Sequence, residues 1–297
     1  MKKLIILLLM VMAMPTVKGM AQEVETPKTL FEYPVAPDTI QKFENRVNYI
    51  VTRFWNNFDL SKPITDLEAF NGAFVDYLGF LRYCHRTVAI SSVRDFMFKA
   101  QTNKPNFEKI AMLADLNLYQ VGAEYWSDEI YMEFLKPVVN NKALKQDVRK
   151  YYAKHMERIN NTQLRGSMAE LEYVDANGDK KKVGDIEAEM LILFITIDND
   201  PDQSFQRVRL STDVAINNLL ADGKVKLLCI SPEKYSAEWS RNASAYATNW
   251  MIGACPELAM DGKYDVRFMP CFMILDKDKL IIQKNVDLET IMSTFGY

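Results

Sequence analysis

The chain has no CxxC pair. Its four cysteines, Cys84, Cys229, Cys255 and Cys271, are spaced for neither a zinc ribbon nor a standard dithiol site. Histidine is scarce, with only His85 and His155. There is no GxSxG, no HExxH and no Gly-rich phosphate loop, so the commonest hydrolase, zinc-protease and nucleotide signatures are excluded. Positive charge is not in excess either: the net charge is −3. A mildly acidic body argues against nucleic acid or anionic lipid as the main partner. Nothing in the sequence implies a metal or a cofactor.

What is present begins with a leader. Lys2 and Lys3 precede an apolar run from Leu4 to Met14, and Gly19-Met20-Ala21 forms a small-x-small site before Gln22. Residues 1–21 therefore read as a cleaved signal peptide, with a run short for a membrane span. No cysteine lies near the cleavage site, which argues against a lipid anchor. The leader holds three lysines and no acid, so its removal takes the net charge to −6. Residues 22–37 are polar and proline-bearing, a connecting leader.

From 38 to 160 the spacing is helical throughout. Ile40, Phe43, Val47, Ile50, Val51, Phe54 and Trp55 mark one face of a first helix, with Asp38 as its N-cap. Further helices are expected from about Asp66, over Thr87–Ala100 and Asn106–Tyr119, from Ser127 to Leu135, and from Leu144 to Ile159. No strand-like alternation interrupts them, so this half is expected to be an all-α domain with its aromatic stripes in the core.

After Asn161 the texture changes. Asn177-Gly178 between two short alternating runs signals a hairpin. Met190–Ile197 reads as a buried strand, followed by one helix to about Ala221. Val225–Ile230 reads as another strand and Ser236–Trp250 as a helix. Asp265–Leu275 and Lys279–Gln283 read as a strand pair turning at Asp276-Lys277-Asp278, and Leu288–Phe295 as a closing helix. At the first strand–helix junction Asp200 suits an N-cap, Pro201 the first helical position and Gln203 a capping box.

Two resemblances follow. Tyr49–Leu60, YIVTRFWNNFDL, looks like the opening of an uncharacterised helical domain of Bacteroidota envelope proteins, over roughly Phe31–Asn160; it implies no activity. The order hairpin, β, α, β, α, β, β, α over 165–297 resembles an exported thioredoxin-like domain. Its most specific segment is Tyr264–Asp278, YDVRFMPCFMILDKD. The fold implied is α+β with two domains: all-α first, then a thioredoxin-like α/β/α sandwich. The resemblance implies a cis Met269–Pro270 bond facing the redox turn, with the Met269 backbone open to an extended substrate segment. It also places the family's two cysteines at Gln203 and Gln206, in the turn that begins at Asp202.

The thiol chemistry of that turn is therefore absent, and the leading expectation is a non-catalytic periplasmic binding or scaffold protein. Its expected partner is an envelope protein or extended peptide, held at a face made by Gln203, Phe205, Met269 and Pro270. The alternative is a thiol–disulfide or redox-sensitive protein using Cys271, Cys255 or both. A Cys255–Cys271 disulfide, a lone reactive Cys271 and buried strand thiols all fit the sequence. A Cys84–His85 pair is disfavoured, because neighbours on a helix point about 100° apart. Asp198, Asp200 and Asp202 alternate, but Gln203 and Arg209 stand where a calcium loop needs Gly and Glu, so capping is the expected role.

Overall fold

The computed structural model describes residues 29–197, 200–243 and 246–295. The expected signal peptide, the first residues of the leader and Asp198 lie outside the described residues. The chain divides into two compact units, Met1–Ala153 and Lys154–Tyr297.

The first unit is helical: α1 (Phe43–Arg53), α2 (Leu67–Leu81), α3 (Arg86–Ala100), α4 (Lys104–Leu118), α5 (Asp128–Asn140) and the first half of α6 (Gln146–Asn161). Side-chain caps set three of the starts. Asp66 accepts from Ala69 N, Asn103 from Asn106 N and Ser127 from Ile130 N. Asp38 caps nothing here. α1 begins five residues later, after Lys42, without a side-chain cap. The core is aromatic. Trp55 stacks on Phe96 at 4.4 Å and on Phe70 at 5.3 Å, and Phe31 and Tyr33 pack on Phe54 from the N-terminal side. Such contacts add to the burial term itself.

Under this core one polar side chain organises a loop. Asn106 is fully buried; its Oδ1 accepts from Ile64 N at 2.9 Å, and its Nδ2 donates to the Leu60 and Lys62 carbonyls at 2.7 Å. Every polar atom of the amide is used, and the backbone of 60–64 is satisfied without regular structure.

The second unit is built on one sheet, in the order β2-β1-β5-β4-β3-β6-β7. Its strands are β1 (Glu172–Asp175), β2 (Lys180–Lys182), β3 (Met190–Ile195), β4 (Val225–Ser231), β5 (Met251–Ala254), β6 (Cys271–Asp276) and β7 (Ile281–Val286). β3 runs parallel to β4 and antiparallel to β6, and is buried at nearly every position. That explains its unbroken apolar run. Ile192 and Phe194 face one layer, against Leu210, Ile216, Leu220 and Ile291 of α7 (Pro201–Thr212), α8 (Val214–Ala221) and α10 (Leu288–Phe295). Leu191, Leu193 and Ile195 face the other, against Met168, Tyr173, Leu258 and Val266. A short α9 (Ala237–Ala243) brings Trp239 and Ala243 against Ala254 of β5.

Both edges of the sheet carry features that disfavour further pairing. β2 is three lysines, and Ile281 at the start of β7 already pairs with the chain at Arg165 and Gly166.

The structure departs from the sequence reading at three places here. The single helix expected up to Ala221 is two: Asp213 takes an extended conformation, ends α7 and caps α8 by accepting from Ile216 N. The helix expected over Ser236–Trp250 is only α9, and β5 follows it unforeseen. β5 is four residues long and contains Gly253, over which the Tyr173 ring lies so closely that a Cβ there would meet its Cδ2 at 2.4 Å. The strand expected from Asp265 begins only at Cys271.

Replacing Asn106 with Ala is expected to cost roughly 2–3 kcal/mol, because two buried backbone groups and the part-buried Lys62 carbonyl lose their partner at once. Urea unfolding of the intact chain followed by circular dichroism measures it, and an unchanged midpoint would refute the assignment.

Candidate functional site

The site lies where β3 ends and α7 begins. Asp200 caps α7 by accepting from Gln203 N at 3.0 Å, and Pro201 takes the first helical turn. Gln203 does not point out of the helix start. It is 4% exposed, and its Oε1 accepts from Ile197 N at 2.9 Å and from Thr196 Oγ1 at 3.1 Å. The helix start is thereby tied to the strand end. One turn on, Arg207 completes the tie: Nη1 donates to the Ile197 carbonyl at 2.7 Å and to Thr196 Oγ1 at 3.0 Å, and Nη2 to Ser204 Oγ at 2.6 Å. Its guanidinium also lies over the Tyr246 ring, 5.3 Å from the centroid.

The Gln203 Oε1 is thus engaged by the strand end. Asp202 is exposed, Gln206 is half-buried, and Phe205 is 67% exposed. Arg207 was not foreseen, although its i, i+4 spacing from Gln203 puts both on one helix face.

The second half of the site is the approach to β6. The Met269–Pro270 peptide bond is cis. Met269 and Pro270 are half-buried, and Met269 packs against the core of the sheet's second layer. Among the described residues its backbone makes no hydrogen bond to other backbone groups. Just upstream lies a buried ionic cluster. Arg267 grips Asp265 with two parallel bonds, Nε to Oδ1 at 3.0 Å and Nη2 to Oδ2 at 2.8 Å, and Lys284 Nζ reaches Oδ2 at 2.9 Å. Asn285 closes the ring, accepting from Arg267 N at 3.1 Å and donating to the Asp265 carbonyl at 2.9 Å. Burial alone would raise the Asp265 pKa; the hydrogen bonds and charge of Arg267, with Lys284, outweigh it and hold the carboxyl below its usual range.

The candidate thiols sit away from solvent. All four cysteines are free, so Cys255 and Cys271 form no disulfide. Cys271 opens β6 and is 0% exposed; Cys255 follows β5 and is buried. Burial pushes the Cys271 thiol up to about 12 and that of Cys255 up to about 11. Cys84 is likewise pushed up by burial, to about 11, and its Sγ points at the Leu81 carbonyl at 3.4 Å. His85 instead faces Glu44, Nδ1 to Oε1 at 3.1 Å. His155 is buried. A thiol must ionise to attack, and none of these environments favours the thiolate.

The comparisons agree with this architecture. Residues 15–162 match the family model of a domain of unknown function (DUF5106). No curated protein matches the chain. Among solved structures, a thioredoxin-like protein from Bacteroides caccae is 21% identical, with a TM-score of 0.77 over 90% of this chain and 98% of that one. The C-terminal domain of an uncharacterized protein from Bacteroides fragilis is 25% identical over 46% of this chain and 99% of its own, with a TM-score of 0.42. The thioredoxin domain of a thiol–disulfide oxidoreductase from Bacteroides vulgatus is 10% identical over 44% of this chain and 97% of its own, with a TM-score of 0.35. The first of these shows that the fold is thioredoxin-like, behind a helical region.

Asp265 makes the stability acid-sensitive. Its folded pKa lies below the ordinary value of 3.8, so its contribution is complete above that value and is lost as pH falls through it towards the folded pKa. Asp265→Asn is expected to flatten this acid limb. At pH 7 it is expected to lower stability by about 3–5 kcal/mol, because Arg267 and Lys284 lose the carboxylate they share. Urea midpoints between pH 3 and 7 give both readings; an unchanged acid limb in the variant would show that Asp265 does not carry it.

Proposed function

We propose that the protein is a non-catalytic thioredoxin-like protein of the periplasm with a binding or scaffold role. One observation carries the reading. The turn that would hold a redox pair holds Gln203 and Gln206, and Gln203 is built into the fold as an acceptor for Ile197 and Thr196. The buried thiols offer no substitute. What the site keeps is a recognition surface: the Met269 backbone ahead of Pro270, with Phe205 exposed on α7. A backbone segment without partners accepts an extended chain by main-chain hydrogen bonds, and Phe205 and Met269 add adaptable apolar contact. The partner is an extended peptide or a loop of an envelope protein. The apolar run and cleavage pattern of residues 1–21 support export.

Reduction of a protein disulfide by a dithiol donor is expected to run at the uncatalysed rate with the protein present. A catalysed rate that disappears in Cys271→Ala would replace this proposal with a redox one.

Binding is checked with a photoreactive phenylalanine at position 205 of the full mature chain, irradiated in periplasmic extract. Discrete adducts are expected, and Met269→Asp is expected to deplete the same adducts severalfold. Adducts unchanged by Met269→Asp would remove the face from the proposal.

A further inference from the structure

A second surface, in the helical unit, has features that its packing role does not require. Arg94 and Phe98 of α3 and Gln101, its C-cap, share one face, at i, i+4 and i+7. They line a cleft of about 330 Å³ with Glu133, Lys136 and Pro137 of α5. The other face of α3, with Val93, Phe96 and Met97, fills the core. Phe98 is therefore not needed for packing within the unit, and it stands 71% exposed at the mouth of the cleft.

The charges are asymmetric. Glu133 is buried, and both its oxygens are taken: Oε2 by Arg94 Nε at 2.6 Å, Oε1 by Lys136 Nζ at 2.5 Å. One carboxylate is thus shared by two cations whose side chains remain about half exposed or more, at 61% for Arg94 and 46% for Lys136. The local sum is one positive charge. Arg94 binds Glu133 through Nε, which orients its terminal pair of nitrogens for a second carboxylate. Glu133 acts here as a positioning residue.

The cleft sets excess positive charge beside an exposed apolar ring: the cations would take a carboxylate, and Phe98 an apolar side chain. A peptide carries both at neighbouring positions.

We propose that the cleft between α3 and α5 binds a short peptide segment carrying an acidic side chain next to an apolar one. The carboxylate pairs with Arg94 and Lys136, and the apolar side chain covers Phe98. The volume is at the small end of ordinary ligand sites, which suits two or three residues rather than a domain. The proposal is independent of the face at Met269; either can fail alone.

The test uses the full mature chain and an acetylated, amidated peptide Ala-Leu-Glu-Phe-Ala with a fluorescent label. Saturable binding weakened by salt is expected. Phe98→Ser and Arg94→Gln are each expected to weaken it about tenfold, the size of a typical anchor-residue loss. Replacing Glu by Gln in the peptide is expected to have a similar effect. Phe98 is exposed, so its variant keeps the fold even if Arg94→Gln does not. Saturable binding that neither substitution changes overturns the proposal, as does no binding at millimolar peptide. Equal binding of a Gln peptide with a free C-terminus, or of acetate alone in competition, also overturns it, since the site would then read a terminal or bare carboxylate.

Discussion

The second unit depends on a carboxylate placed where carboxylates are costly. Asp265 is fully buried, and taking it out of water is offset only because Arg267, Lys284 and the Asn285 amide converge on it. Those partners come from different parts of the chain, and the end of α6 joins them: Thr162 Oγ1 accepts from Asp265 N, Arg158 donates to the Gly262 carbonyl and Asn161 to that of Lys263. One ion thus fixes the path of residues 262–270 against β7 and the last turn of α6. That path delivers Met269 and Pro270 to the site. It also explains why the boundary between the compact units falls within α6 rather than after it: the final turn of that helix bonds to the sheet unit.

The strand–helix junction shows how a fold outlives a chemistry. The first turn of a helix after a buried strand is a good place for a thiolate, because unpaired N–H groups gather there. Here Asp200 caps those groups, and the strand end just before them finds its own partners: Gln203 accepts from Ile197 N and Thr196, and Arg207 donates to Thr196 and the Ile197 carbonyl. Gln203, at the turn where the resemblance expects a thiol, is thus part of the internal wiring.

Much of this was legible in the sequence where a local rule decides structure. Asp66, Ser127 and Asp200 cap as their residue types suggest, β3 reads as buried from its apolar run, and Gly178 takes the positive φ that its hairpin turn needs. The failures have a common cause: the deciding partner was distant or the element short. β5 is held by β4 and β1 and carries little pattern of its own. Asp213 broke a helix by serving two ends at once. The side chain of Gln203 turned inward for a strand end six residues back, which a composition of polar residues cannot reveal. Asp265 and Arg267 stood in plain view in YDVRF, two apart and so on one side of an extended chain, but Lys284 and Asn285, which complete the cluster, come from another strand.

The lysines of β2 have a consequence beyond their own hairpin. A sheet whose outer strand is short and cationic, and whose opposite margin is paired at Ile281, offers a stray chain a poor template. An extended segment that met this margin would find charge where it needs a template, so the sheet is a poor seed for a growing fibre.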